Sequence, residues 1–247
     1  IMNIVISNQS HFEELKRKLK EEGACSLHVL SDFDRTLTYA FINGKKVPSL
    51  MAILRNGNYL TPDYAEKAQA LFNKYHPIEI DPNIPLKEKK KAMHEWWKIH
   101  FDLLIKSGLT KRDIEDVVNS SKVKFRKGVL EFIDLLHEYD IPLVIISSSG
   151  LGKYALELFF KKHNRLYDNI YLISNEYVWD EKGKAIAIRE PIIHCMNKDE
   201  TILHEFPFYD KIKERKNVIL LGDNPADVRM VKGFNYEHLL KIGFLNE

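Results

Sequence analysis

Three short apolar runs, each released at once into small or acidic side chains, constrain this chain more than any other feature. Leu27 to Leu30 opens into Ser31-Asp32, Leu143 to Ile146 into Ser147-Ser148-Ser149, and Val218 to Leu221 into Gly222-Asp223. Such runs read as buried strands that deliver polar groups at their carboxyl ends. Helical patterns separate them. Phe12, Leu15 and Leu19 recur at helical spacing from Ser10 to Glu22, Leu130 to Tyr139 repeats the pattern, and a further helix spans about Gly152 to His163. Ile170 to Ile173 and Leu239 to Ile242 supply two more short strands, and Tyr177 to Ile193 reads as a β-ribbon turning at 181–184. Strands alternating with helices predict an α/β fold with a parallel, doubly wound sheet, whose chemistry sits at the strands' carboxyl ends.

The stretch 43–125 breaks this alternation. Thr61-Pro62 signals a helix start, Pro85 to Ser107 forms one long amphipathic pattern ended by Gly108, and Thr110 to Asp113 has the form of a capping box. No strand is expected there, so the segment reads as a helical insertion between core parts 1–42 and 126–247. The chain's 247 residues leave room for a core plus such an insertion. With 37 basic against 35 acidic residues the chain lacks the excess of a nucleic-acid binder, and Lys16-Arg17-Lys18 and 87–91 read as solvated helix faces. The apolar runs are too short to span a bilayer, and no charged-then-apolar leader opens the sequence. Cys25 and Cys195 are the two cysteines, expected as buried thiols in a reducing compartment. A cytoplasmic monomer is the expectation, with no membrane or nucleic-acid partner.

Asp32-Phe33-Asp34 alone has bland readings. Its aspartates can cap turn amides, and a calcium loop would want glycine where Leu37 stands. Its company matters more: the serine run, Lys198, and Gly222-Asp223 with Asp227. These groups suit displacement at phosphorus. A phosphate monoester carries nearly two negative charges, so an attacking carboxylate needs cations between them. Asp32 and Asp223 suit Mg²⁺, Lys198 suits the equatorial oxygens, and serine hydroxyls suit the remaining donors. Asp34 is then left to protonate the leaving alkoxide and later to deprotonate water.

In their order, these elements resemble the four motifs of the haloacid-dehalogenase-like phosphatases. The branch they are most similar to is the cytosolic pyrimidine 5′-nucleotidases of type III. Residues 77–82, Glu95-Trp96-Trp97, His194 to Lys198, Ile219 to Asp223, Arg229-Met230 and 240–246 carry that similarity along nearly the whole chain. The resemblance implies a Rossmann-like core, an inserted helical cap, and Mg²⁺-dependent hydrolysis of nucleoside 5′-monophosphates through an aspartyl-phosphate. It makes Asp32 the nucleophile and Asp34 the general acid and base. Mg²⁺ would be held by the Asp32 carboxylate, the Asp34 backbone carbonyl and Asp223, with Asp227 behind them orienting a metal water or the lysine. Lys198 would hold the phosphoryl group.

Counting from Pro142 selects Ser147 as the phosphate-loop serine, and counting back from Gly150 selects Ser148. The Ser-x-Gly spacing favours Ser148, with Ser149 beside it. Glu79 matches the cap glutamate that contacts the base; otherwise it is a surface residue in a Pro-bounded extended segment. Trp96 and Trp97 offer faces for base stacking, at least one of them being expected in the core. Tandem Trp resembles the sub-branch that also accepts 7-methylguanosine monophosphate, whose cationic base gains from cation–π contact. His100 stands where the family tends to have a small hydroxyl residue near the base. The expected substrates are CMP and UMP, with 7-methyl-GMP as a further one. Two rivals remain: a phosphatase of non-nucleotide esters on the same fold, and a non-catalytic nucleotide-binding protein.

Overall fold

A computed structural model describes residues 4–198, 206–232 and 235–246. The elements run α1 (Gln9–Glu22), β1 (Leu27–Ser31), β2 (Phe41–Ile42), β3 (Lys45–Lys46), α2 (Leu50–Asn56), α3 (Tyr64–Ile80), α4 (Leu86–Lys106), α5 (Lys111–Asn119) and α6 (Val129–Glu138). They continue with β4 (Leu143–Ile146), α7 (Gly152–Lys162), β5 (Ile170–Ile173), β6 (Tyr177–Trp179), β7 (Ala185–Ile188), α8 (Tyr209–Ile212), β8 (Asn217–Gly222) and β9 (His238–Gly243).

Five strands form one sheet in the order β5-β4-β1-β8-β9, and every pairing in it is parallel. β1 is central because its residues are apolar on both faces. Val29 packs on one side with Leu143, Ile145, Phe159 and Phe160, and Leu30 on the other with Val144, Ile146, Val218 and Met230. Each such fully buried aliphatic side chain contributes roughly 1.5–3 kcal/mol. This is the haloacid-dehalogenase-like α/β arrangement. Among the described residues, no helix is long and apolar enough to cross a membrane.

The capping box at Thr110 is present: Thr110 Oγ1 accepts from Asp113 N, and Thr110 N donates to Asp113 Oδ2 at 2.8 Å. The ribbon also forms, as β6 and β7, and its tip pairs with the insertion through Lys111 N to the Gly183 carbonyl.

Four expectations need correction. The small hairpin β2–β3 straddles the start of the insertion, turning at Asn43-Gly44 with φ of 51° and 72°. An Asn-Gly pair is the usual signal for that turn, because both positions need a left-handed backbone. The 42/43 boundary therefore cuts a turn. α3 starts at Tyr64 rather than at Thr61-Pro62, the Thr61 carbonyl accepting from Tyr64 N. The same helix runs through Pro77 to Ile80, so Glu79 lies on a helix and not in an extended segment. Cys25 is exposed, since it sits in the tight turn 24–26 between α1 and β1.

The insertion leaves and rejoins the core through neighbouring backbone. Thr38 bridges Phe125, Tyr39 N donates to the Lys124 carbonyl, and Arg126 N to the Leu37 carbonyl.

Candidate active site

Asp32 follows β1 and keeps its place in the sheet by donating its N–H to the Leu221 carbonyl at 3.0 Å. Phe33 then turns into the core, edge-on to Phe159 with ring centroids 5.4 Å apart. The turn closes with Arg35 at φ 60° and its N–H on Thr38 Oγ1 at 2.9 Å. With Phe33 anchored inward, Asp32 and Asp34 are presented at the sheet's end.

On the adjacent strand β8, Gly222 makes room for its neighbour: a Cβ there would stand 2.7 Å from that of Asp227. Asn224 caps the short helix Pro225–Val231, and its N–H donates to Asp227 Oδ2 at 3.1 Å. Asp227 Oδ1 accepts from Lys198 Nζ at 2.9 Å. Both Asp227 oxygens thus serve as supports. Lys198 Nζ also donates to Asp32 Oδ1 at 2.5 Å, and Thr36 Oγ1 to Asp32 Oδ2 at 3.2 Å.

Carboxylate oxygens of Asp32, Asp223 and Asp227 lie within 4.8 Å of one another. Burial and then the Asp32 charge push Asp34 up to about 7, and the same two causes, in the same order, push Asp223 up to about 6. Burial disfavours the Lys198 ammonium, but Asp32 and Asp227 outweigh it and hold it charged. Burial likewise raises Asp32 while Lys198 opposes it; a contact this short leaves the pair ionic. An all-oxygen donor set with more negative charge than one lysine balances fits a hard divalent cation such as Mg²⁺.

In the serine run, Ser147 Oγ accepts from Ser149 N at 3.2 Å and Ser149 Oγ from Leu151 N at 3.3 Å. Those two are buried, whereas Ser148 is half-buried. The loop lies under the insertion. A Cβ on Gly150 would stand 3.0 Å from Trp97 Cζ3 and 2.9 Å from Met51 Sδ. Trp97 is half-buried over this loop, while Trp96 stacks on Tyr75 with centroids 5.8 Å apart. His100 joins the site through Trp97: it stacks behind that ring and shares a 2.9 Å hydrogen bond with the Tyr64 hydroxyl. Burial pushes His100 down to about 4, so it is neutral.

Glu79 reaches the core. Its Oε1 accepts from Cys195 Sγ at 3.0 Å, three residues before Lys198, and its Oε2 lies 3.1 Å from His76 Nδ1. The structure therefore gathers Asp32, Lys198, Asp223 and Asp227 into one cluster, with Trp97 over the serine loop and Glu79 against the lysine's turn.

Supporting residues escaped the sequence reading. Asn175 holds the Ser149 and Ile193 carbonyls and the Ile193 amide, tying the serine loop to the lysine's segment. Asn246 donates to Asp223 Oδ2 at 3.3 Å. Arg126 Nε donates to the Thr36 carbonyl at 2.9 Å. Each acts through tertiary contact, and the only local signal is Asn175 following a strand.

A family model described as pyrimidine 5′-nucleotidase (UMPH-1) matches residues 35–247. The chain is 38% identical over 232 residues to a 7-methylguanosine phosphate-specific 5′-nucleotidase of Gallus gallus, covering 94% of this chain and 80% of that protein. Among solved structures, cytosolic 5′-nucleotidase IIIB bound to cytidine superposes with a TM-score of 0.86 at 27% identity, over 97% of this chain and 80% of that one. A HAD family hydrolase from Salmonella enterica shares the fold, with a TM-score of 0.56 at 14% identity over 92% of this chain and 68% of the other.

Proposed function

We propose that this chain, which belongs to the pyrimidine 5′-nucleotidase (UMPH-1) family, hydrolyses nucleoside 5′-monophosphates to nucleoside and phosphate through a phosphorylated Asp32. The observation that carries the reading is Lys198 bridging Asp32 and Asp227, with Asp223 in the same cluster.

Asp32 attacks phosphorus as the bond to the nucleoside O5′ breaks. Asp34, poised near neutrality, gives its proton to that oxygen. Lys198 pairs with the equatorial oxygens, and Ser148 with Ser149 and the loop amides donates to them. Asp34 then takes a proton from water, whose oxygen attacks the aspartyl-phosphate and frees Asp32 and inorganic phosphate. The Asp32 carboxylate, the Asp34 carbonyl and Asp223 would hold Mg²⁺, which would supply positive charge to offset the repulsion between carboxylate and phosphate. Asp227 orients Lys198 from behind.

In this reading residues 1–42 and 126–247 are the catalytic core, and 43–125 is the cap that closes over the site. Trp97 stacks on the base, Glu79 accepts from its amino group, and His100 backs Trp97. CMP, UMP and 7-methyl-GMP are the expected substrates, and the expected setting is a cytoplasmic monomer.

The test is phosphate release from these nucleotides, from sugar phosphates and from phosphoserine, with Mg²⁺ and with chelator. Mg²⁺-dependent turnover confined to nucleotides and lost in Asp32→Asn and Asp34→Asn is expected. Near-wild-type turnover by Asp32→Asn would refute the covalent scheme, and preference for a non-nucleoside ester would refute the substrate class.

A further inference from the structure

A carboxylate can select a base only if its lone pairs are held in one direction, and a glutamate side chain loses rotamer freedom to be so held. Glu79 is gripped at three points. Its backbone carbonyl accepts from Lys89 Nζ at 2.9 Å, and its Oε2 lies 3.1 Å from His76 Nδ1, one turn back on α3. The third grip comes from outside the insertion, where Cys195 Sγ lies 3.0 Å from Oε1. Burial first, then the Glu79 charge, push this thiol far above its ordinary value, so it stays S–H and acts as a donor. Beside it the same turn meets α4, where the rings of His194 and His94 lie edge to face at 6.4 Å. One turn thus carries Lys198 to the carboxylate cluster and touches both α3 and α4.

We propose that Cys195 is a positioning residue for base selection: its thiol donates to Glu79 and aims the carboxylate at the amino group of a cytosine- or guanine-type base. The proposal rests on the reading of Glu79 given above. A thiol is a weak donor. It orients the carboxylate yet leaves lone pairs for a stronger N–H donor from the base. Uracil presents a carbonyl oxygen where cytosine presents its amino group, so a carboxylate aimed at that position gains nothing from it.

The test is steady-state kinetics on CMP, 7-methyl-GMP, UMP and p-nitrophenyl phosphate. Cys195→Ala, and Cys195→Val as a second variant that keeps volume without a donor, should raise KM for CMP and 7-methyl-GMP about tenfold. The kcat values, UMP and p-nitrophenyl phosphate should stay within about twofold on the same scale. Cys195→Ser, which restores a donor, should recover most of the loss. Equal losses on all four substrates, or no rescue by serine, would overturn the role. Glu79→Gln separates the two readings. If it leaves the preference for amino-bearing bases unchanged, the Glu79 reading fails; if it abolishes that preference while Cys195→Ala and Cys195→Val do not, only the Cys195 role fails.

Discussion

The two walls of the cleft are built from opposite materials. On the core side, carboxylates and one ammonium crowd at the ends of β1 and β8, where Lys198 meets Asp32 at 2.5 Å and Asp227 at 2.9 Å. On the insertion side Tyr75, Trp96, Trp97 and His100 stack as ring faces 5.8–6.2 Å apart. Ionic contacts in a dry site are strict about geometry, because any unpaired charge bears its full desolvation cost. Ring faces tolerate sliding and accept many partners. In the proposed function, chemistry therefore belongs to the first wall and substrate choice to the second.

The harshest way to break this division is Asp32→Asn, which should cut phosphate release about 10⁴-fold or more on every substrate. Lys198→Met should also abolish turnover. It leaves Asp32 and Asp227 buried without their ammonium, so unfolding should become easier by about 3 kcal/mol. A denaturation midpoint equal to the wild type would show that Lys198 does not hold the cluster together. On the other wall, Trp97→Ala should cost nucleotides about tenfold in kcat/KM and a small aryl phosphate clearly less. Equal losses would move Trp97 from recognition to packing.

A finer contrast comes from pH. His28 in the core and His100 in the insertion are both pushed down to about 4 by burial. Between about pH 6.5 and 4 the unfolded chain binds protons at these histidines that the folded chain refuses. Each histidine therefore lowers stability as pH falls, by about 1 kcal/mol per unit. In the core, Asp34 and Asp223 push the other way without Mg²⁺, since acids with raised values bind protons in the folded state first. The melting temperature from pH 7.5 to 5 should thus fall less steeply in His100→Gln and in His28→Gln than in the wild type, by similar amounts, and an unchanged slope in either variant would show that its histidine is not held neutral. At the small end, Arg17→Ala on α1 breaks an exposed pair with Glu21 and should shift stability by no more than about 0.5 kcal/mol.

The core wall was the more legible of the two. Strands buried on both faces leave unbroken apolar runs, and acids placed just after them announce themselves, so β1, β4, β5 and β8 and the order of their polar ends could be read directly. The insertion wall could be read only in outline. Tandem Trp in a helix looks the same whether a ring faces base or core, and the structure divides the pair, Trp97 toward the serine loop and Trp96 onto Tyr75. Glu79 was found through resemblance, but its grip by Cys195 joins residues 116 apart and leaves no local trace. The hairpin at Asn43-Gly44 carries its turn signal in the sequence, but strands only two residues long leave no alternation to mark them.

The pairing of Thr38 with Phe125 means that the inserted segment departs and returns at nearly one point. Anything spliced there, long or short, leaves the register of the central strands untouched, as insertions with neighbouring ends generally do. The helical segment can then be exchanged as a cassette, by grafting a different one between these positions, while the sheet beneath keeps its alignment.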